Sequence, residues 1–253
     1  MRRMRHLKPR EIQGCQLALD ASIATSLYDA TSGGSLVAAN GAVARWEDQS
    51  GNARHMTQAT SGNRPLRRLA GLSGGASLDF DGSNDRLEYG TLDITSLYDS
   101  AGTSAFVIAV MSQRAAKAQN TLFSSGISAT NRINMHASYD NILYFDPGST
   151  SSAGRVSVAQ PSGWDDAAHV FAGVRNGANG FISVDNKSLV TKTDFSYTVA
   201  SATVTLSVGG LVDDAGTYHS GHASEIASWA ISANASVVNR VVHSRQRKWR
   251  ING

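Results

Sequence analysis

The sequence predicts an all-β fold, a two-sheet antiparallel jelly-roll sandwich with one helix near the C-terminal end. Short apolar or alternating runs recur along the chain, and Gly, Ser, Asn and Asp separate them. Hydrophobic residues make up 41% of the 253 residues and charged residues only 17%, so a sizeable core can form. A single sandwich can use a chain of this length, and we expect one domain over residues 17–253.

Two segments show strand patterns most clearly. Residues 105–111 (AFVIAVM) are apolar at every position and too short for a typical helix, which predicts a central strand buried on both faces. Residues 203–208 alternate Thr or Ser with Val or Leu, which predicts a strand with one face in water. Similar runs occur at 77–80, 122–124, 132–136, 142–145, 169–174 and 180–184. Hairpin turns are predicted at Asp81-Gly82, Asn176-Gly177 and residues 185–187.

The helix is predicted at residues 234–250, with Asn234 or Ser232 as its N-cap. Its apolar residues share one stripe: Val238, Val241, Val242 and Trp249. An isolated helix of this length is marginal in water, so we expect the stripe to lie across the sandwich.

Both ends of the chain are basic, although the net charge is only +3. Residues 1–16 show neither the helical nor the strand period, and we predict a basic arm there that docks on a partner. Its cationic residues are Arg2, Arg3, Arg5, Lys8 and Arg10. Residues 240–253 hold five further basic residues and no acid. Solvated ends explain these charges equally well, and nucleic acid is not an expected partner because aromatic residues are not interleaved with them.

The chain contains a single cysteine, Cys15, which excludes an internal disulfide framework. The basic start is not followed by the apolar run of a signal peptide, and no window is apolar enough to span a bilayer. We therefore expect synthesis in a cytoplasm, without a signal peptide and without membrane contact.

Three motifs in a fixed order resemble the laminin-G-like, concanavalin A-type domains of bacteria and their phages. They lie in residues 17–22 (LALDAS), 43–52 (VARWEDQSGN) and 77–87 (SLDFDGSNDRL). Later segments are similar to the central strand, the closing strand and the terminal helix of that family, so the resemblance covers residues 17–251. It implies structural roles for Trp46, Asp48, Ser50, Gly51, Asn52, Phe80, Asp81, Gly82, Asp85, Glu225 and Trp249.

Catalysis is not predicted from these residues. Glycosidases with this kind of sandwich place carboxylates on one strand as E-x-D-x-x-E, and none of the four Glu residues begins that spacing. We therefore predict no catalytic residue and no enzyme, with a glycoside hydrolase as a less favoured alternative. Glu225 shares a strand face with apolar residues and needs a partner there, which favours a structural role. Residues 71–75 match G-x-S-x-G but lead into a strand, so we interpret them as a loop.

No metal or cofactor is predicted. Two groups carry suitable atoms: His219 and His222 with Asp213 and Asp214, and Asp81 with Asn84 and Asp85. The first group lies in a turn-rich stretch with no helix to align its ligands. The second has oxygens suited to calcium, but a hydrogen-bonded turn explains the same residues without an ion.

Two functions from different classes stay open. The favoured one is a non-enzymatic virion component of a phage, such as a capsid decoration, head-fibre or tail-associated protein, with other virion proteins as partners. The alternative is a carbohydrate-binding module for host attachment, which recognises a surface glycan. Its sugar-stacking residues are predicted among loop aromatics: Tyr139, Tyr144, Trp164 and Tyr218. A homo-oligomer is compatible with both functions.

Overall fold

A computed structural model confirms the two-sheet antiparallel sandwich with its C-terminal helix. The structure describes residues 7–114, 118–126, 128–212, 214 and 216–251. Arg2, Arg3 and Arg5 of the predicted arm, and Asp213, lie outside these residues. The strands are β1 (Cys15–Asp20), β2 (Leu27–Tyr28), β3 (Arg45–Trp46), β4 (Met56–Thr57), β5 (Leu66–Leu72), β6 (Gly75–Asp81), β7 (Leu87–Asp93), β8 (Ser104–Gln113), β9 (Gln119–Ser124), β10 (Thr130–Tyr139), β11 (Ile142–Ser149), β12 (Val156–Ala159), β13 (His169–Asn176), β14 (Asn179–Val184), β15 (Lys187–Lys192), β16 (Thr203–Val208) and β17 (Ser220–Trp229), and the helix is α1 (Ala235–Trp249).

The strands pair antiparallel in two sheets. Sheet A has eight strands in the order β15-β14-β13-β8-β17-β6-β5, and β1 pairs with the second half of β17. Sheet B has nine strands in the order β12-β11-β10-β9-β16-β7-β4-β3-β2. The main core lies between the sheets and includes Trp46, Phe80 and Phe145. The two sheets therefore bury one face each against the other.

Strand β8 is buried at every residue, which confirms the central strand predicted from the apolar residues 105–111. Val107, Ala109 and neighbouring alternate residues face the main core. Phe106 and Ile108 face the opposite way and pack in a second core, between sheet A and α1. The predicted stripe of α1, which includes Val241 and Trp249, fills that second core. Sheet A thus lies between sheet B and the helix.

The ends of α1 agree with its sequence. Asn234 is the N-cap, and its Oδ1 accepts a hydrogen bond from the N–H of Val237 at 3.0 Å. The helix ends at Trp249, since Arg250 adopts the left-handed conformation with φ of 54°. No helix in the described part of the chain is long and apolar enough to cross a membrane.

The predicted turns are right in part. Asp185 and Asn186 both have positive φ between β14 and β15, as a two-residue hairpin turn requires. The hairpin predicted at Asp81-Gly82 is wrong, because β6 belongs to sheet A whereas β7 belongs to sheet B. Asp81 Oδ1 does cap a turn by accepting the N–H of Ser83 at 2.7 Å, but the chain then crosses between the sheets.

Two further local predictions need correction. Residues 71–75, interpreted as a loop, contain a two-residue turn at Ser73 and Gly74, both at positive φ, while Leu72 ends β5 and Gly75 begins β6. A strand follows this turn, so it lacks the helix that a nucleophile elbow requires. The polar face of β16 is not fully wet, because Ser207 is buried and its hydroxyl donates to the carbonyl of Gly210.

The described part of the basic arm lies against the domain itself. The N–H of Leu7 donates to Ser244 Oγ at 3.0 Å, and Arg245 donates to the Leu7 carbonyl at 2.5 Å. Trp229 Nε1 donates to the carbonyl of Pro9 at 3.2 Å. Lys8 and Arg10 are exposed beside these contacts. Docking of the arm on a partner stays a prediction.

Gly173 tests how closely the two sheets pack. A Cβ at this position of β13 would lie 2.4 Å from the nearest ring atom of Phe145, which belongs to β11 of the other sheet. We expect Gly173→Ala to lower the free energy of unfolding by about 1–3 kcal/mol, through overpacking of the main core. Urea unfolding followed by circular dichroism measures the change.

Gly90→Ala on β7 is the matched control. A Cβ there meets nothing within 4 Å, so the free energy of unfolding should change by less than about 0.5 kcal/mol. Equal midpoints for both variants would show that the sheets are not in close contact at Gly173.

Candidate functional site

The outward face of sheet B is polar, and much of it is nevertheless buried. On β10 and β11, Ile133, Met135 and Phe145 enter the main core, so the residues between them point outward. These outward polar residues are buried: Arg132, Asn134, His136 and Asp146. Leu211 and Asp214 lie on the same face, since they line one cleft together with Arg132 and His136. Polar groups buried on an outer sheet face are a candidate ligand site.

A cleft of about 290 Å³ opens on this face, and we call it the sheet B cleft. It is lined by Arg132, His136, Tyr139, Tyr144, Thr150, Arg155, Leu211 and Asp214. This volume is close to the lower end of the roughly 300–1,000 Å³ typical of small-molecule sites. The cleft therefore has room for a small ligand or for one or two units of a longer one.

Three rings of the cleft contact one another edge to face. The ring centroids of Tyr139 and Tyr144 are 6.3 Å apart at an interplanar angle of 84°, and His136 lies 6.0 and 6.1 Å from them. The guanidinium carbon of Arg155 lies 4.5 Å from the centroid of the Tyr144 ring. Each ring is held in place by its neighbours, so the aromatic surface of the cleft is preorganised.

Two of the four aromatics predicted to stack on sugars thus come together here, Tyr139 and Tyr144. The prediction is wrong for Trp164, which is buried in the main core with its Nε1 donating to the Ala137 carbonyl. Tyr218 lies under the guanidinium of Arg86 and does not line the cleft. The sequence does not distinguish a loop tryptophan that faces solvent from one that turns into the core.

Asp146 is the electrostatic centre of the cleft and is fully buried. Arg155 holds it with two hydrogen bonds of 2.6 Å, from Nε and Nη2. Arg132 Nε and His136 Nε2 lie 3.5 and 3.6 Å from Asp146 Oδ2. Burial raises the pKa of this carboxyl, but the hydrogen bonds from Arg155 and His136 outweigh it and hold the pKa below its usual value.

Burial lowers the pKa of His136, so the imidazole is neutral near pH 7. Its Nδ1 lies 2.8 Å from Thr121 Oγ1, and its Nε2 faces Asp146. Since the carboxylate only accepts hydrogen bonds, the proton of the neutral ring belongs on Nε2, and the Thr121 hydroxyl donates to Nδ1.

A second titratable cluster lies between sheet A and α1, around Glu225. Glu225 is fully buried, and its Oε1 lies 2.6 Å from Arg245 Nε. Its Oε2 accepts from Lys248 Nζ at 2.9 Å and from Trp249 Nε1 at 3.1 Å. Burial raises the pKa of Glu225, but Arg245 and Lys248 outweigh it and the pKa lies below its usual value. The carboxylate stays ionised and fixes the helix to the sheet.

The Glu225 cluster borders another cavity of about 290 Å³, between residues 7–10 and α1. Three of its charged groups pair with one another, because Lys248 Nζ lies 2.9 Å from Glu225 Oε2 and 2.5 Å from Asp20 Oδ2. The aromatic residues that line the sheet B cleft have no counterpart among its lining residues. We therefore place the candidate site in the sheet B cleft.

The residues of the family motifs occupy structural positions. Trp46 and Phe80 lie in the main core, Trp249 lies in the second core, and Asp48, Ser50, Gly51 and Asn52 form one loop beside β1. Asp48 Oδ1 accepts the N–H groups of Ala18 and Ser50 at 2.9 Å each. Asn52 Nδ2 donates to the Gln16 carbonyl at 3.1 Å. The W-x-D-x-SGN motif thus joins its loop to β1.

Among the residues considered for metal binding, Asp213 lies outside the described residues, and His219, Asp81 and Asp85 are engaged in other contacts. In the described part of the chain, no group of three His, Cys, Asp or Glu residues converges to hold a metal ion. Burial lowers the pKa of His219 to about 3, and its Nδ1 contacts Asn120 Oδ1. Asp85 Oδ2 accepts the N–H of Asp81 at 3.0 Å, next to the turn beyond Gly82. Burial and the neighbouring Asp81 raise the pKa of Asp85 to about 6.

No protein-family model and no curated protein sequence matches the chain. Solved structures match it in fold. Domain 4 of AbnA, a GH43 extracellular arabinanase from Geobacillus stearothermophilus in complex with arabinotriose, is 11% identical with a TM-score of 0.58, covering 90% of this chain and 98% of that one. A GH54 α-L-arabinofuranosidase is 16% identical with a TM-score of 0.62, and the match covers 94% of this chain and 64% of that one. Trypanosoma rangeli sialidase in complex with sialic acid is 14% identical with a TM-score of 0.54, and the match covers 93% of this chain and 33% of that one.

These similarities show the fold, a β-sandwich shared with domains of carbohydrate-active proteins. The prediction that the chain is not an enzyme is wrong, because structures similar over at least 90% of its length come from glycoside hydrolases and a sialidase. The absence of the E-x-D-x-x-E spacing excludes only one arrangement of carboxylates on one strand. It was therefore not a sufficient reason to exclude catalysis. The comparisons give no support to a phage link.

Replacing Glu225 tests its structural role. Glu225→Gln leaves the buried guanidinium of Arg245 without its counter-charge, and we expect a loss of about 3–5 kcal/mol in the free energy of unfolding at pH 7. Glu88→Gln is the control, since Glu88 pairs with Arg86 in a half-buried surface position and should cost less than about 1 kcal/mol. Urea unfolding of both variants measures the difference.

The ion pair between Glu225 and Arg245 also predicts that the free energy of unfolding depends on pH. Because the pKa of Glu225 in the folded protein lies below its ordinary 4.5, the ionised carboxylate stabilises the fold above that pH. This stabilisation is lost as the pH falls through the lower, folded pKa. The gap in unfolding free energy between the wild type and Glu225→Gln should therefore narrow below about pH 4.5. A gap that stays constant down to pH 2 would contradict the ion pair.

Proposed function

We propose that this chain is a carbohydrate-binding domain and that the sheet B cleft is its sugar site. The observation that carries the proposal is the convergence of Tyr139 and Tyr144 with the charged groups of Arg155 and Asp214 in one cleft. Sugar rings have apolar C–H faces and a rim of hydroxyl groups. Such a ligand needs aromatic surface and hydrogen-bonding groups side by side.

The polar groups of the cleft supply both donors and acceptors. Arg155 is fixed by its two hydrogen bonds to Asp146, so its remaining nitrogen is presented in one orientation. Thr150 adds a hydroxyl, and the carboxylate of Asp214 accepts hydrogen bonds. Preorganised groups of this kind bind a ligand with little loss of side-chain entropy.

The comparisons support the same proposal at the level of fold. One similar structure is a domain of an arabinanase in complex with arabinotriose, and this chain covers 98% of that domain. At 11% identity, the position of the sugar in that complex does not transfer to this chain. Arabinotriose is therefore one probe among several.

Removing either tyrosine should weaken sugar binding. We expect Tyr139→Ala and Tyr144→Ala each to lower the affinity at least tenfold, which corresponds to about 1.4 kcal/mol. A glycan array with arabino-oligosaccharides, hexose oligomers and acidic glycans identifies the best ligand, and isothermal titration calorimetry then measures its affinity for each variant.

Tyr28→Ala is the matched control, because Tyr28 lies on β2 at the opposite edge of sheet B and packs against Arg45. Its affinity should equal that of the wild type. Absence of binding to every glycan at millimolar concentration, or unchanged affinity in both cleft variants, would refute the proposal. The release of new reducing ends is measured in parallel, and turnover would extend the proposal from binding to hydrolysis.

The virion role stays a separate prediction, and neither the fold nor the comparisons support it. Copy-number quantification by mass spectrometry of purified particles tests it directly. A symmetry-compatible copy number would support docking of the arm that includes Lys8 and Arg10 on other virion proteins, and absence from particles would exclude that role.

A further inference from the structure

In the group of side chains around Asp146, the positive charges exceed the negative ones. Arg132 and Arg155 both face the single carboxylate of Asp146. His136 is neutral near pH 7, so this group of side chains carries a net charge of +1. Arg132 and Asp146 are almost completely buried. A buried positive charge without full compensation is costly unless an anion or a further acceptor reaches it.

The hydrogen bonds of the two guanidinium groups are also incomplete. Arg155 uses Nε and Nη2 for Asp146, and its Nη1 has no hydrogen bond to the described residues. Arg132 donates from Nη1 to the Ser128 carbonyl at 3.0 Å. Its Nε is buried and has no hydrogen-bond partner in the described part of the chain, although Asp146 Oδ2 is 3.5 Å away. A nine-tenths buried cation with an unused donor therefore lines the cleft.

We infer that the sheet B cleft binds a sugar that carries a carboxylate, such as a hexuronic acid residue, with that carboxylate at Arg132 and Arg155. The inference rests on the proposed function and narrows its ligand class. The planar guanidinium groups suit a carboxylate in geometry as well as in charge. The ring of the same sugar then lies beside Tyr139 and Tyr144.

The remaining groups favour a single negative charge on the ligand. Asp214 lines the same cleft, and its Oδ1 accepts the N–H of Gly216 at 3.0 Å. Its negative charge repels a phosphate or a heavily sulfated chain more strongly than one carboxylate. The same oxygens accept hydrogen bonds from sugar hydroxyls. A sugar with one carboxylate and free hydroxyls matches both the guanidinium groups of Arg132 and Arg155 and the carboxylate of Asp214.

The direction in which the pKa of Arg132 shifts agrees with this excess of positive charge. Burial lowers the pKa of Arg132 more than the nearby Asp146 raises it, and Arg155 lowers it further. A ligand carboxylate would add the opposite charge that the group lacks in the free protein.

The test compares each acidic sugar with its own neutral methyl ester. The probes are trigalacturonate, a glucuronate-containing disaccharide and N-acetylneuraminic acid. Each is used as the free acid and as the methyl ester. Isothermal titration calorimetry measures the affinity of the protein for each form. Esterification removes the charge and leaves the ring unchanged. We expect at least one acid to bind at least tenfold more tightly than its ester, with the gap shrinking as salt rises from 20 to about 500 mM.

Two variants locate the effect. Arg132→Gln should lower the ratio of the affinity for the acid to that for the ester to about one, with both ligands measured on the same variant. Asp214→Asn, at a residue that is not part of the buried cluster, should raise the affinity for the acid several-fold. The second variant keeps the test valid if Arg132→Gln does not fold, as judged by circular dichroism.

The outcomes separate this inference from the proposed function. Esters or neutral glycans that bind as tightly as the acids, with loss of binding in Tyr139→Ala, would overturn the acidic ligand and leave carbohydrate binding in place. Failure of every glycan, acidic or neutral, would overturn both. Tighter binding of an acid that Asp214→Asn does not strengthen would place the carboxylate elsewhere and also overturn the inference.

Discussion

Sheet A is buried on both faces, and this burial determines which surfaces of the sandwich stay accessible. Its inner face packs on sheet B, and its outer face is covered by α1 and the segment before β1. Strand β8 therefore has an apolar side chain on either side, and the Glu225 cluster fixes the helix in place. Since the helix covers sheet A, the outward face of sheet B is left free of a helical layer. That face carries the polar residues of the cleft.

Asp146 organises the cleft in the way that Glu225 organises the helix. Each is a fully buried carboxylate with two cations beside it, and each has a pKa below its usual value because its partners outweigh burial: Arg155 and His136 for Asp146, Arg245 and Lys248 for Glu225. Both clusters leave a buried guanidinium nitrogen without a hydrogen bond, Arg245 Nη2 in the first and Arg132 Nε in the second. They differ in their surroundings, because the cavity beside Glu225 has no aromatic lining, whereas Tyr139 and Tyr144 line the cleft beside Asp146. The first cluster is therefore structural, and the second has the means to hold a ligand.

Much of the fold follows from local sequence patterns, whereas the cleft does not. Short stretches of sequence encode the apolar residues on both faces of β8, the N-cap and apolar stripe of α1, and the turn at residues 185–187. The error at Asp81-Gly82 has a different cause, since a turn sequence does not say which sheet the next strand joins. Arg132, Asp146 and Arg155 gave no signal because their pairing depends on the register of β10, β11 and the segment before β12. Tyr139 and Tyr144 are predicted as loop aromatics but lie on β10 and β11, and their convergence depends on the same register.

A crystal structure of the protein with its best-binding glycan shows directly where the sugar binds. We expect a sugar ring beside Tyr139 and Tyr144, within hydrogen-bonding distance of Arg155. A sugar bound instead in the cavity between residues 7–10 and α1, with the sheet B cleft empty, would contradict this expectation.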